Sequence, residues 1–341
     1  MASLDTPVCK ELGIRYPIFS VGFGRSAGPE LAAAVSNAGG CGVLGASGLE
    51  AHEIRDRIAA TRRLTTRPIG VNLIIDSDET EEDLALLRAE VEAIGDGGAE
   101  LAVLFWGDPA PYIEVAHARG ARVFIQVGSV DEARHAVDAG VDGVIAQGVE
   151  AGGHVRGTTP IWALLPEVVR VAGTTPVLAS GGIANGKGIA RALRLGAQGV
   201  SLGTRFVASD EAWIHEEFKR RVVAGRAEDT VLNELYDVGW PNAPHRTLRN
   251  KTLDEWEAAG RPPPGQRPGE GQPIGYRRGP SGDRQPWVRY SSGMLTPDFE
   301  GDVDYAPIWA GQSVSDVHEI KPAAEIVTDL VRETQAALAA G

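Results

Sequence analysis

One arrangement recurs through the first two thirds of this chain and leaves few folds open to it. A helix-like segment ends at glycine, and a short run rich in Val, Ile and Leu follows. It reads NAGGCGVLG from Asn37, GGAELAVLF from Gly97 and ARGARVFIQV from Ala118. It returns as DAGVDGVIAQ from Asp138 and LGAQGVSLG from Leu195. Two versions, TRPIGVNLI from Thr66 and TTPVLAS from Thr174, use proline instead. Glycine just past a helix takes the left-handed cap, and proline keeps the preceding residue extended. With the opening run YPIFSVG from Tyr16, the strand candidates number eight.

The segments between these runs carry helical spacing. Leu84, Leu87, Val91 and Ile94 share one face, as do Val130, Ala133 and Val137, and then Ile189, Ala192 and Leu193. Thr80, followed by Glu81, Glu82 and Asp83, forms a cap and an acidic first turn. The strand runs are apolar almost throughout rather than alternating, as is expected of parallel strands covered on their outer face by helices. Eight strand-then-helix units imply an α/β fold, a (β/α)8 TIM barrel; a doubly wound open sheet is the structural rival.

The character changes beyond about Val222. Residues 1–222 are read as the barrel and 223–341 as an appended subdomain that caps its mouth. The stretch 260–290, with RPPPGQRPGEGQP inside it, reads as a flexible loop, and 321–340 as a closing helix whose apolar side holds Val327, Val331 and Leu338.

Bulk properties bound the function. A net charge of -13 argues against nucleic acid as a partner. The 2 cysteines, Cys9 and Cys41, form no CxxC pair, so no disulfide framework or metal site is implied; Cys41 reads as a small buried hydrophobe. No secretory leader and no apolar span of membrane length is visible. A soluble cytoplasmic protein is expected, and a homo-oligomer is left open.

In such barrels the reacting groups sit at the C-terminal ends of the strands. There the chain offers Gly22-Phe23-Gly24, Asn72, Trp106, Gln126, the loop Gln147 to Gly157, Ser180-Gly181-Gly182 and Gly203-Thr204-Arg205. The loops after strands 7 and 8 are a common phosphate site, because glycine lets backbone N–H groups approach an anion. His154 follows Gly152 and Gly153, and an accessible imidazole can hold or move a proton near neutral pH. No GxGxxG fingerprint, Walker loop or HExxH appears, so the phosphate belongs to a mononucleotide cofactor or a phosphorylated substrate.

The order VNL at Asn72, FIQVGS at Gln126, GVEAGGH from Gly148 to His154, LASGGI at Ser180 and GTRF from Gly203 resembles the nitronate monooxygenase family, formerly 2-nitropropane dioxygenases. The motifs cover about residues 15–210, and WAGQSV from Trp309 resembles that family's C-terminal region. The resemblance implies an FMN-dependent oxidoreductase that denitrifies alkyl nitronates such as propionate 3-nitronate with O2, through a flavin semiquinone. By the same resemblance Ser180, Gly181, Gly182, Gly203 and Thr204 hold the FMN phosphate. Asn72 and Gln126 face the flavin, with Gly22, Gly152 and Gly153 beside it, and His154 contacts the nitro group and serves as base for a neutral nitroalkane. The chain departs from the family pattern at SVGFGRSAG and at LFWGDP, where Trp106 narrows the pocket or stacks on a ligand. The alternative is an FMN-dependent NAD(P)H:quinone or enoyl-thioester reductase, and another class is a flavin-free barrel binding a phosphorylated metabolite.

Other residues have blander readings. His52, His117, His135 and His215 fall in helix-like segments, and nothing in the sequence places His245 or His318 near the cofactor. Glu150 reads as a solvated loop carboxylate. Arg25 and Arg205 are either phosphate partners or ordinary arginines. Tyr290, Tyr305 and Trp309 are the bulky candidates for gating the mouth.

Overall fold

The computed structural model describes residues 4–76, 80–279 and 282–340. Eight parallel strands close into a barrel: β1 (Ile18–Ser20), β2 (Gly42–Gly45), β3 (Ile69–Ile74), β4 (Leu101–Phe105), β5 (Arg122–Val127), β6 (Gly143–Gln147), β7 (Val177–Ser180) and β8 (Gly199–Leu202). Each pairs with its sequence neighbour, and β8 pairs with β1 at Ile18 opposite Val200. The Cys41 N–H donates to Ile18 O at 2.9 Å and the Ser20 N–H to Cys41 O at 3.1 Å, completing the circle. This is the (β/α)8 TIM barrel expected from the recurrence.

Alternation explains why the strands are apolar on both faces. Phe19, Val43, Leu101, Val103, Phe124, Ile145 and Leu178 point inward and pack with Val8, Cys9 and Leu12 of the helix Pro7–Leu12. That helix plugs the N-terminal end of the barrel, where Thr6 and Val8 bond to Gln198 just before β8. The neighbouring positions, such as Ile18, Val71, Leu73, Leu104 and Ile125, face the outer helices. Helix starts follow sequence rules: Thr80, Ser129 and Asn185 each accept a backbone N–H from three residues on, about 1 kcal/mol apiece. The acidic run Asp76 to Asp83 reads in the sequence as the N-terminal face of the helix that Thr80 starts; its residues 77–79 lie outside the described residues.

The helix after β8 is only Thr204–Val207. The place of a full helix there is taken by the C-terminal helix Ala323–Ala339, which packs against helices Gly186–Arg194 and Pro29–Asn37. Glu333 Oε2 accepts the Gly186 N–H at 2.9 Å, and a Cβ on Gly186 would stand 2.3 Å from that of Glu333.

The remaining residues build two small antiparallel sheets. In the first, β9 (Thr230–Asn233) pairs with β10 (His245–Leu248). The far edge of β10 is shared by Gly153–His154 and Ile308–Trp309. In the second, β11 (Pro273–Arg278) and β12 (Arg284–Val288) form a ribbon inside the stretch 260–290, of which 280 and 281 lie outside the described residues. Among the described residues no helix is long and apolar enough to cross a membrane, and no cluster of three or more His, Cys, Asp or Glu has metal-binding geometry.

Candidate active site

A cavity of about 1140 Å³ opens at the C-terminal ends of the strands. Gly22, Asn72, Gln126, Gly152, Gly153, His154, Ser180, Gly181, Gly182, Gly203 and Thr204 all line it. The tail adds Trp240, Arg277, Arg278, Trp287, Met294 and Trp309 to its outer wall.

The floor at β7 and β8 is built for an anion. Gly181 and Gly182 take φ values of +86° and +69°, which only glycine adopts freely. Among the described residues, the N–H groups of Gly181 and Gly182 in this turn, and that of Thr204 at the next strand end, find no backbone acceptor. Unpaired backbone donors bordering a cavity need a ligand or water. The hydroxyls of Ser180 and Thr204 stand beside them; Thr204 Oγ1 already accepts the Gly311 N–H at 3.0 Å, so its proton stays available. Nearer the barrel axis, Asn72 Nδ2 donates to Val103 O at 3.0 Å, while the Gln126 side chain borders the cavity. The donor chemistry of this floor fits the phosphate of a mononucleotide.

The loop bearing His154 is clamped rather than mobile. Gln147 donates to His154 O and accepts from the Arg156 N–H, both at 2.9 Å. Arg246 donates to Val149 O at 2.8 Å, and Glu150 accepts the Ile161 N–H at 3.0 Å, at the start of helix Ile161–Ala172. Glu150 is thus a helix-end acceptor. A Cβ on Gly152 would lie 2.3 Å from Gly311 N, so this glycine is required where the loop crosses the tail backbone.

The His154 ring stands in an aromatic box. Ring centroids are 3.9 Å away at Trp240, 5.5 Å at Trp309, 5.5 Å at His245 and 6.3 Å at Trp106. Its Nε2 is buried and has no partner among the described residues, a state that costs about 1–3 kcal/mol until something bonds to it. Desolvation by this burial, helped by the nearby His245, lowers its pKa to about 3. The imidazole is therefore neutral at pH 7, with a free lone pair if the proton sits on Nδ1.

His245 departs from the reading that nothing places it near the site. It is fully buried, with Nδ1 bonded to Ala243 O at 2.8 Å and Nε2 accepting the Tyr236 N–H at 3.2 Å. Burial lowers its pKa to about 4. Sequence reading also passed over Trp240, and it took Asp76 only as part of an acidic helix face. Trp240 sits in Gly239-Trp240-Pro241, a turn rather than a periodic segment, and a large aromatic in a turn is the signal that was there. Trp106, at φ +66°, packs edge-on to Trp240 at 5.1 Å and does not line the main cavity. Trp309 lines the cavity, whereas Tyr290 and Tyr305 bond to Pro268 and Glu255 away from it. Arg25 reaches the cavity edge, but Arg205 turns away to Glu319 O. His117 and His135 pair with Asp142 and Asp108 on the surface, and His215 caps helix Glu216–Ala224.

Comparison with known proteins bears on this geometry. The chain is 33% identical over 260 residues, 76% of its length and 70% of the relative's, to the (3aS,4S,5R,7aS)-5-hydroxy-7a-methyl-1-oxo-octahydro-1H-indene-4-carboxyl-CoA dehydrogenase of Mycobacterium tuberculosis. It is 30% identical over 365 residues to the nitronate monooxygenase of Paraburkholderia phytofirmans, covering 94% of this chain and 93% of that one. The structure of FabK from Thermotoga maritima superposes with a TM-score of 0.81 at 30% identity, covering 99% of this chain and 98% of that one. The model of the nitronate monooxygenase family matches residues 5–333, through barrel, capping sheets and C-terminal helix alike. A match that runs through every part of the cavity wall, and not only its glycine loops, makes this chain an enzyme belonging to the nitronate monooxygenase family.

Proposed function

We propose that the cavity holds FMN and that the enzyme oxidatively denitrifies alkyl nitronates, such as propionate 3-nitronate, with O2. One observation carries the reading: three backbone N–H groups at the ends of β7 and β8, without a backbone acceptor among the described residues, border the same cavity as His154, whose Nε2 likewise has no partner among them. The family is flavin-dependent. When bound, FMN would supply one-electron oxidation of the substrate and reaction with oxygen. Gly181, Gly182 and Thr204 would hold its phosphate through backbone N–H groups, assisted by Ser180 and by Gly203 at the turn. Asn72 and Gln126 would meet the ring system beside Gly22, Gly152 and Gly153.

His154 would work as a neutral base. A nitroalkane donates its acidic C–H proton toward Nε2, and the resulting nitronate raises the imidazole pKa by its opposite charge. A nitronate supplied already ionised needs no such step. Both cysteines are free and buried, which fits a reducing compartment such as the cytoplasm.

A second reading has its own support. Arg277 and Arg278 line the outer cavity on β11, and a relative's name specifies a carboxyl-CoA substrate. An FMN-dependent reductase of enoyl thioesters or quinones, fed by NAD(P)H, would use that edge for phosphates. The absorption spectrum of the purified protein, followed without air by propionate 3-nitronate or by NADPH, separates the two. Flavin bands that change with nitronate support the first reading. Full bleaching by NADPH with nitronate inert supports the second, and no flavin uptake on reconstitution overturns both.

A further inference from the structure

We propose that Trp240 is a specificity-determining residue, the movable wall between two cavities, and that Asp76 is the latch that holds its indole over His154. The proposal rests on the reading of His154 as the residue that meets substrate. The tail delivers Trp240 in a turn whose neighbours Gly239 and Asn242 have φ values of +101° and +57°. Its indole lies on the His154 imidazole with centroids 3.9 Å apart and planes 37° from parallel. That contact is part of what shuts Nε2 away from solvent.

A second cavity of about 580 Å³ lies on the other side of the indole, between Asp83, Leu86 and Leu87 of helix Glu81–Asp96 and Trp106. Trp240 and Asp76 border both cavities. Trp240 is therefore a partition. Its polar tether is a single hydrogen bond, from Nε1–H to Asp76 Oδ2 at 2.8 Å, and Asp76 is exposed. One bond to a solvated carboxylate is a weak hold, so displacing the indole is easier than displacing a core tryptophan.

The chemistry of the two sides then sets the substrate. With the wall in place, Trp240 and Trp309 leave room for a short apolar substituent beside the imidazole. With the wall displaced, the apolar side chains of Leu86 and Leu87 extend the chamber for a longer chain. A substrate long enough to enter that second chamber is thus favoured when its far end is apolar, since Asp76 repels an anion there, whereas a short nitronate such as propionate 3-nitronate stays on the near side of the wall.

Diethylpyrocarbonate, which acylates neutral imidazole, tests the wall on the holoprotein, with His154 followed by peptide mass spectrometry. Trp240→Ala is expected to raise the His154 modification rate at least about tenfold. Asp76→Ala, a surface change, should raise it about fivefold, the weight of one hydrogen bond. Asp76→Asn keeps an acceptor oxygen and should behave as the native protein. Trp240→Ala should also raise the ratio of kcat/KM for a hexyl nitronate over an ethyl nitronate by about tenfold. Unchanged modification in both Trp240→Ala and Asp76→Ala would overturn the proposal whatever the substrate. Faster modification without nitronate turnover in any form would support the wall and sink the nitronate reading instead.

Discussion

His154 and His245 stand opposite each other in antiparallel register, and their ring centroids are 5.5 Å apart. One comes from the loop after β6, the other from β10 of the tail. Each is depressed by burial, and a charge on either disfavours a charge on its neighbour. The pair therefore ties the proton state of the site to the docking of the tail.

The two depressed imidazoles make stability depend on pH. Both folded pKa values, about 3 and about 4, lie below the ordinary 6.5. Between these limits the unfolded chain binds more protons, so stability rises with pH. The contribution is complete above about pH 6.5 and is lost as pH falls toward 4. Thermal melts should show a lower Tm at pH 5 than at pH 7.5, and His154→Gln should narrow that gap. An equal gap in native protein and variant would remove His154 from the effect.

Removing the base should separate two substrate forms. His154→Asn is expected to lower kcat/KM for a neutral nitroalkane about 100-fold or more. The pre-formed nitronate should lose far less, since no proton has to be taken. Steady-state rates with each form, in freshly neutralised solution, decide it. Equal losses would make His154 a binding group rather than a base.

The glycines of the floor should not be equivalent. Gly182 sits at φ +69° with a Cβ position 3.0 Å from the Glu150 side chain, whereas a Cβ on Gly203 meets nothing nearer than 3.7 Å. Gly182→Ala should weaken FMN retention and lower stability by about 1–3 kcal/mol. Gly203→Ala should fold normally and keep most of its flavin. Flavin content per chain after gel filtration, with urea melts, measures both.

The outer arginines should matter only for large substrates. Replacing Arg277 and Arg278 together with alanine is expected to raise KM for a CoA thioester or NADPH about tenfold or more. KM for a small alkyl nitronate should stay within about twofold. A matched rise for both substrate classes would place the arginines in the fold rather than in recognition.

The barrel was legible because its signals are local. Glycine caps, proline boundaries and doubly apolar strands each act within a few residues, and eight of them in sequence favour a closed barrel over a doubly wound open sheet. The floor was legible for the same reason: Ser180-Gly181-Gly182 and Gly203-Thr204 lie at strand ends that chain order alone identifies. Gly152 was placed in the right loop, but the contact that demands glycine there is with Gly311, 159 positions further on. No local pattern carries that contact.

The sequence by itself determined the (β/α)8 barrel, the glycine floor and the position of His154 at the end of a strand. Periodicity and turn chemistry are short-range, and they survive without knowledge of the rest of the chain. Only the tertiary structure decided the state of His154. Its neutral ring, buried Nε2 and aromatic box come from Trp240, His245 and Trp309, which the tail brings back over the mouth. Likewise, only packing showed that helix Ala323–Ala339 takes the last place in the outer ring. Desolvation depends on every group that excludes water, near or far in the chain, so the site's electrostatics exist only once the fold has closed.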